Sequence, residues 1–171
     1  VPASSSANAA DSGAVDGGAN PAAACLGPDN KFVIGGDDYV HSGSPLVITG
    51  GAGWSVDTDG DVDGKPAFVT IHIGSNWTID LSSASLGRPL APGTYVDAQR
   101  APFTDPNHPG LDVFGDGRGC NEVGGTFTIV DVQANSDPDG GLSTVTSLTA
   151  TFEQHCEKGS GSNTGCVHFT L

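Results

Sequence analysis

A chain of 171 residues carrying 20 acidic and 6 basic side chains, a net charge of −14, has the length of one domain with room for an arm. That charge excludes nucleic acid as a partner, because phosphate binding needs a basic face, and it disfavours an anionic membrane surface. Gly (26) and Pro (11) are plentiful and the acids are nearly all Asp, which excludes long helices and favours tight turns.

The first segment, residues 1–24, is almost wholly Ala, Ser, Gly, Asn and Asp, with Val1 and Val15 its larger aliphatic groups. Such a composition cannot bury enough surface to offset its ordering entropy alone, so the segment is expected to be an arm that contacts another copy of the chain. The opening Val1-Pro2-Ala3-Ser4 reads as residues left after cleavage of a secretion signal, which predicts a secreted, extracellular or cell-surface protein. No apolar run is long enough to insert into a membrane.

From Lys31 onward, residues 25–171 read as one β-domain of short strands between turns. Lys31–Gly35 and Asp38–His41 flank Gly36-Asp37, and Leu46–Thr49 ends at Gly50-Gly51. Ala67–Ile73 alternates, with Ala67, Val69, Ile71 and Ile73 on the core face and Phe68, Thr70 and His72 outside. Asn76–Leu81 alternates again, placing Trp77 with Ile79 and Leu81. Thr94–Ala98 is followed by a Pro-broken stretch, Gln99–Gly119, that holds one apolar piece at Leu111–Phe114. Thr126–Val132 and Ser143–Phe152 are the clearest strands, joined by a hairpin loop at Asn135–Gly141, and Cys166–Leu171 is the last. The pattern predicts an all-β fold, a β-sandwich or open barrel of roughly eight to ten short antiparallel strands.

The four cysteines, Cys25, Cys120, Cys156 and Cys166, include no close-spaced pair of the kind zinc sites use. Two disulfides in an oxidising compartment fit better, and spacing alone permits three pairings.

A run of local motifs carries a resemblance: Gly93-Thr94-Tyr95, Arg100-Ala101-Pro102-Phe103, Gly115-Asp116-Gly117-Arg118-Gly119-Cys120-Asn121, Gly125–Val130 and Phe152-Glu153-Gln154-His155-Cys156-Glu157. In this order, over Phe32 to Leu171, the chain resembles a small β-rich domain of secreted proteins and lipoproteins from high-GC bacteria that has no established activity. The resemblance implies a Cys120–Cys156 bridge, which leaves Cys25–Cys166 to tie the last strand to the root of the arm. The terminal cysteine departs from that family's pattern.

Asp57, Asp59, Asp61 and Asp63 precede Gly64, and from Asp59 they spell D-x-D-x-D-G, the first half of a calcium loop with oxygen ligands at alternate positions. Asp137 and Asp139 form a second half-match before Gly140. Thr70 and Thr146 stand where each loop would need a closing acid, and Asp and Gly are ordinary turn residues. The cofactor expectation is therefore none, or Ca2+ at the first loop. Trp54, beside that loop, is the aromatic candidate for a glycan. Gly115–Asn121 could recognise an anion or carboxylate, or could be a tight loop whose Arg118 bonds to backbone carbonyls or to Asp116. His41, His72, His108, His155 and His168 are scattered with no metal spacing, and no nucleophile elbow or phosphate loop is present. The chain is thus not expected to be an enzyme. It reads as a self-assembling structural subunit, of a filament or surface layer, or else as a calcium-stabilised carbohydrate-binding module.

Overall fold

The computed structural model describes residues 21–50, 52–137, 141–157 and 159–171. Ten strands occupy most of this length: β1 (Lys31–Asp37), β2 (Ser42–Thr49), β3 (Ser55–Val62), β4 (Lys65–Ile73), β5 (Trp77–Ser82), β6 (Gly93–Arg100), β7 (Gly110–Gly115), β8 (Val123–Asn135), β9 (Thr144–Cys156) and β10 (Asn163–Thr170). They form a single open sheet in the order β2-β1-β10-β9-β8-β6-β7-β5-β4-β3. Among the described residues there is no α-helix, and the helical turns are 3-10, at Pro21–Cys25 and Ala84–Leu86.

All pairings are antiparallel but one. β6 and β7 run parallel over just two residue pairs, Gln99 with Gly110 and Arg100 with Leu111. The pairing of β6 with β8 also slips between Tyr95 and Ala98, where Asp97 takes a positive φ of 55°. The sheet folds back on itself, so that Phe32 of β1 reaches Trp77 of β5, Gln154 of β9 reaches Val113 of β7, and β9 packs on β3 and β4.

Alternation decides which side chains fill the space between the two halves. Phe32 of β1 meets Trp77 of β5 with ring centroids 5.5 Å apart and stacks on Phe152 of β9 at 6.1 Å. Val69, Ile71, Ile73, Ile79, Leu81, Leu111, Val113, Phe127, Leu148, Val167 and Phe169 belong to the same buried cluster, the dominant source of stability for a sheet of this kind. Trp77 needs Gly115 beside it, because a Cβ there would lie 2.2 Å from the indole.

Two buried side-chain amides brace the fold, the first between the halves and the second within one of them. Gln154 accepts from the Val113 amide at 2.7 Å and donates to the Val113 carbonyl at 2.8 Å, so its side chain stands in for a strand partner. Asn163, opposite Gln154 in the β9–β10 ladder, grips the backbone of His41 in the same way. The bridges Cys25–Cys166 and Cys120–Cys156 are both formed.

Two expected elements differ. Asp38–His41, read as a strand, is a bend that Asn163 holds. Conversely, the Asp-rich stretch read as a loop is strand β3, paired with β4 from Ser55–His72 to Val62–Lys65. Its charges mark it as an edge strand, where water solvates one side and Asp discourages pairing with another chain. The loop itself shrinks to Asp63-Gly64, with φ of 54° and 69°, a two-residue turn of the type that Asp-Gly favours.

Candidate functional site

The two outer faces of the folded sheet carry different chemistry. On the first face, over β1, β10, β9 and β8, the 3-10 turn Pro21–Cys25 lies against the strands, with Ala22 and Cys25 buried. The Cys25–Cys166 bridge fixes this turn, the root of the arm, to β10. Beside it runs a groove of about 500 Å³. Ala24 and Pro45 stand along it, and Val33, Gly35, Thr128, Thr151 and Thr164 line it. Its ionisable member is Glu153, whose carboxylate pairs with His155 at 3.1 Å. Residues 1–20 of the expected arm lie outside the described residues.

The second face is charged. Strand register aligns Asp57, Thr70, Asp80 and Asp112 in one row across β3, β4, β5 and β7. Directly opposed side chains on neighbouring strands have Cβ atoms only about 4.5–5.5 Å apart, so these groups interact. His72 Nε2 lies 3.0 Å from Asp57, Thr70 donates to Asp80 at 2.6 Å, and Arg100 Nε donates to Asp112 Oδ2 at 3.1 Å. Burial raises the Asp80 pKa above the usual carboxylate value, with the Thr70 bond and the His72 charge opposing it. Burial likewise lifts Asp112 to about 6, against the bond and charge of Arg100 and assisted by the nearby Asp80 charge. The Asp112 side chain is 5 % exposed, and its second oxygen, Oδ1, has no hydrogen-bond partner.

Next to Asp112 lies a cleft of about 430 Å³ lined by Asn76, Arg100, Asp112, Phe114 and Arg118. The Gly115–Asn121 loop that forms its rim begins with a tight turn: Gly115 and Arg118 exchange backbone hydrogen bonds of 3.0 and 2.9 Å around Asp116-Gly117, both at positive φ. Arg118 donates to the Tyr39 carbonyl at 3.4 Å and lies over the Tyr39 ring, as the backbone-bonding alternative for this loop expected. No carboxylate lies within ion-pair distance of it among the described residues. Asp116 is turned toward Asn76, whose amide donates to it at 3.2 Å.

The calcium candidates separate. Asp57 is engaged with His72, Asp59 accepts from the Gly60 amide, and Asp61 accepts from both the amide and hydroxyl of Ser143 at 2.9 Å. Strand geometry spreads Asp57, Asp59 and Asp61 along β3 instead of wrapping them about one point. Folding does bring the two half-motifs together, because Asp61, Asp63 and Asp137 line one cavity between the β3–β4 and β8–β9 hairpins. Asp139 lies outside the described residues. The set of three ligand-type side chains within 4.8 Å of one another, among the described residues, is Cys120, Cys156 and Glu157, and its sulfurs are consumed in a disulfide. Trp54 is half-buried against the core with its indole N–H donated to the Gly50 carbonyl at 3.0 Å, and the exposed aromatics among the described residues are instead Tyr39, Phe103 and Phe114.

Sequence reasoning missed Asp112 and Arg100. Leu111–Phe114 reads as an apolar strand, and its lone Asp gains meaning from the neighbour that register places beside it. No family model, curated protein or solved structure matches the chain. Two disulfides, with no described helix long and apolar enough to cross a membrane, are compatible with an extracellular protein.

Proposed function

We propose that this protein is a secreted structural subunit that self-associates, with residues 1–20 of one copy lying in the groove over β1, β10 and β9 of another. The observation that carries this reading is the placement of the arm's root. Cys25–Cys166 clamps the last residues of the arm to the outer face at the side of the groove, so every copy holds the root of the arm beside the receptor surface. The chemistry matches, since a shallow groove built on Gly35 and short Thr side chains admits Ala, Ser and Gly and offers hydroxyls to a backbone. Reach permits it too. Twenty residues span up to about 66–72 Å when extended, well beyond the roughly 30–40 Å width that a domain of this size has.

The test compares the full chain with a Δ1–20 variant that keeps Cys25, by sedimentation velocity over a range of concentrations. Higher-order species from the full chain and a monomer from the variant are expected. Equal masses for the two proteins at every concentration would end the proposal.

Calcium is a second reading with one observation in its favour: Asp61 keeps a buried oxygen, Oδ1, without a partner beside Asp63 and Asp137. A metal bound to the folded state alone would raise the melting midpoint. Identical midpoints in millimolar calcium and in chelator would dispose of it.

A further inference from the structure

We infer that the cleft between β7, Arg100 and the Gly115–Asn121 loop binds a sugar that carries a carboxylate, such as a uronic acid unit of an acidic polysaccharide. Three observations converge there. First, Arg100 and Arg118 are two of only six Lys and Arg residues in a chain of net charge −14, and both line this one cleft. Arg100 is neutralised by Asp112, which leaves Arg118 as a positive charge with no carboxylate at ion-pair distance among the described residues. An arginine fork suits a carboxylate, which it can engage with two parallel hydrogen bonds.

Second, Asp112 Oδ1 is buried and unpartnered while its twin oxygen holds Arg100. A buried acceptor left unpaired is costly, so a donor from a ligand is favoured there. An ionised carboxylate accepts and does not donate, and a sugar hydroxyl supplies the proton it lacks. Third, Phe114 is 36 % exposed on the cleft wall and Asn76 adds an amide that both donates and accepts. An apolar ring beside directional polar groups is the composition of a site for a hydroxylated ring. A simple anion would use Arg118 and leave Asp112 unserved. A neutral sugar would do the reverse.

The experiment titrates isotope-labelled full chain with trigalacturonate, galactotriose, acetate and phosphate, following amide shifts of Gly115–Asn121. Trigalacturonate is expected to bind at least tenfold more tightly than the other three. Arg118→Gln, an exposed position whose replacement leaves the core untouched, should weaken trigalacturonate at least tenfold. Lys31→Gln, the same charge change on the opposite face, should leave it unaltered. Equal binding of acetate or phosphate overturns the inference, as does equal binding by R118Q or no binding of trigalacturonate at all.

Discussion

One sheet folded on itself has two outer faces, and here they have diverged. The face over β1, β10, β9 and β8 is covered by Thr, Gly and a disulfide and is nearly uncharged along its groove. The face over β3, β4, β5 and β7 holds a row of carboxylates with a histidine and an arginine among them. Both obey the same period of two, with aliphatic and aromatic side chains inward. The inward positions are constrained by packing, whereas outward positions are free to specialise. A neutral surface of short side chains suits a polypeptide backbone, and a surface of clustered charges suits a small polar ligand.

The largest test of this contrast removes the anchor on the neutral face. Replacing Cys25 and Cys166 by Ser opens a loop spanning 141 residues, which chain entropy values at about 5 kcal/mol. Guanidinium unfolding should show a loss of that order, and the arm root should become accessible to protease. The same change at Cys120 and Cys156, 36 residues apart, should cost about 4 kcal/mol while leaving the arm root protected. A root that stays protected after the first change would show that packing of Ala22 suffices.

On the charged face the leading effect is pH dependence. Folded Asp112 releases its proton near pH 6, whereas an unfolded-chain Asp does so near pH 3.9. Between these values the folded state holds the extra proton, so stability falls as pH rises through the window and is fully present below it. Unfolding at pH 4 and pH 7 should reveal a contribution of about 2–3 kcal/mol at most, and Asp112→Asn should remove it. Asp80 acts in the same direction and persists in that variant. Unchanged pH dependence in D112N would mean that Asp112 titrates as an ordinary surface acid.

A matched pair of threonines gives the smallest and sharpest comparison. Thr70→Val deletes the donor to Asp80 and should destabilise by about 1–2 kcal/mol at pH 7. Thr151→Val, in the groove, should change stability by no more than about 0.5 kcal/mol. Similar values for the two would erase the energetic distinction between the faces.

Much of this was legible in advance because it is local. Alternation at Ala67–Ile73 and Asn76–Leu81 fixed which side chains turn inward, and Trp77 lies in the core as its phase requires. Strand β3 was hidden because Val56 and Thr58 stand among three aspartates, Asp57, Asp59 and Asp61, a pattern that resembles turn chemistry until β4 is seen beside it. Asp112 was hidden for a related reason, since its register partner Asp80 and its ion-pair partner Arg100 come from other strands.

The sequence by itself determined an all-β domain, its inward faces and its Asp-Gly turns, all properties set by neighbours a few residues apart. The resemblance contributed the two disulfide pairings that the structure shows. Only the tertiary structure decided the strand order, the parallel seam between β6 and β7, and the separate characters of the outer faces. The physical reason is that strand pairing and burial are long-range. A carboxylate's neighbours, and with them its pKa and its unmet hydrogen bond, are set by which strand lies alongside.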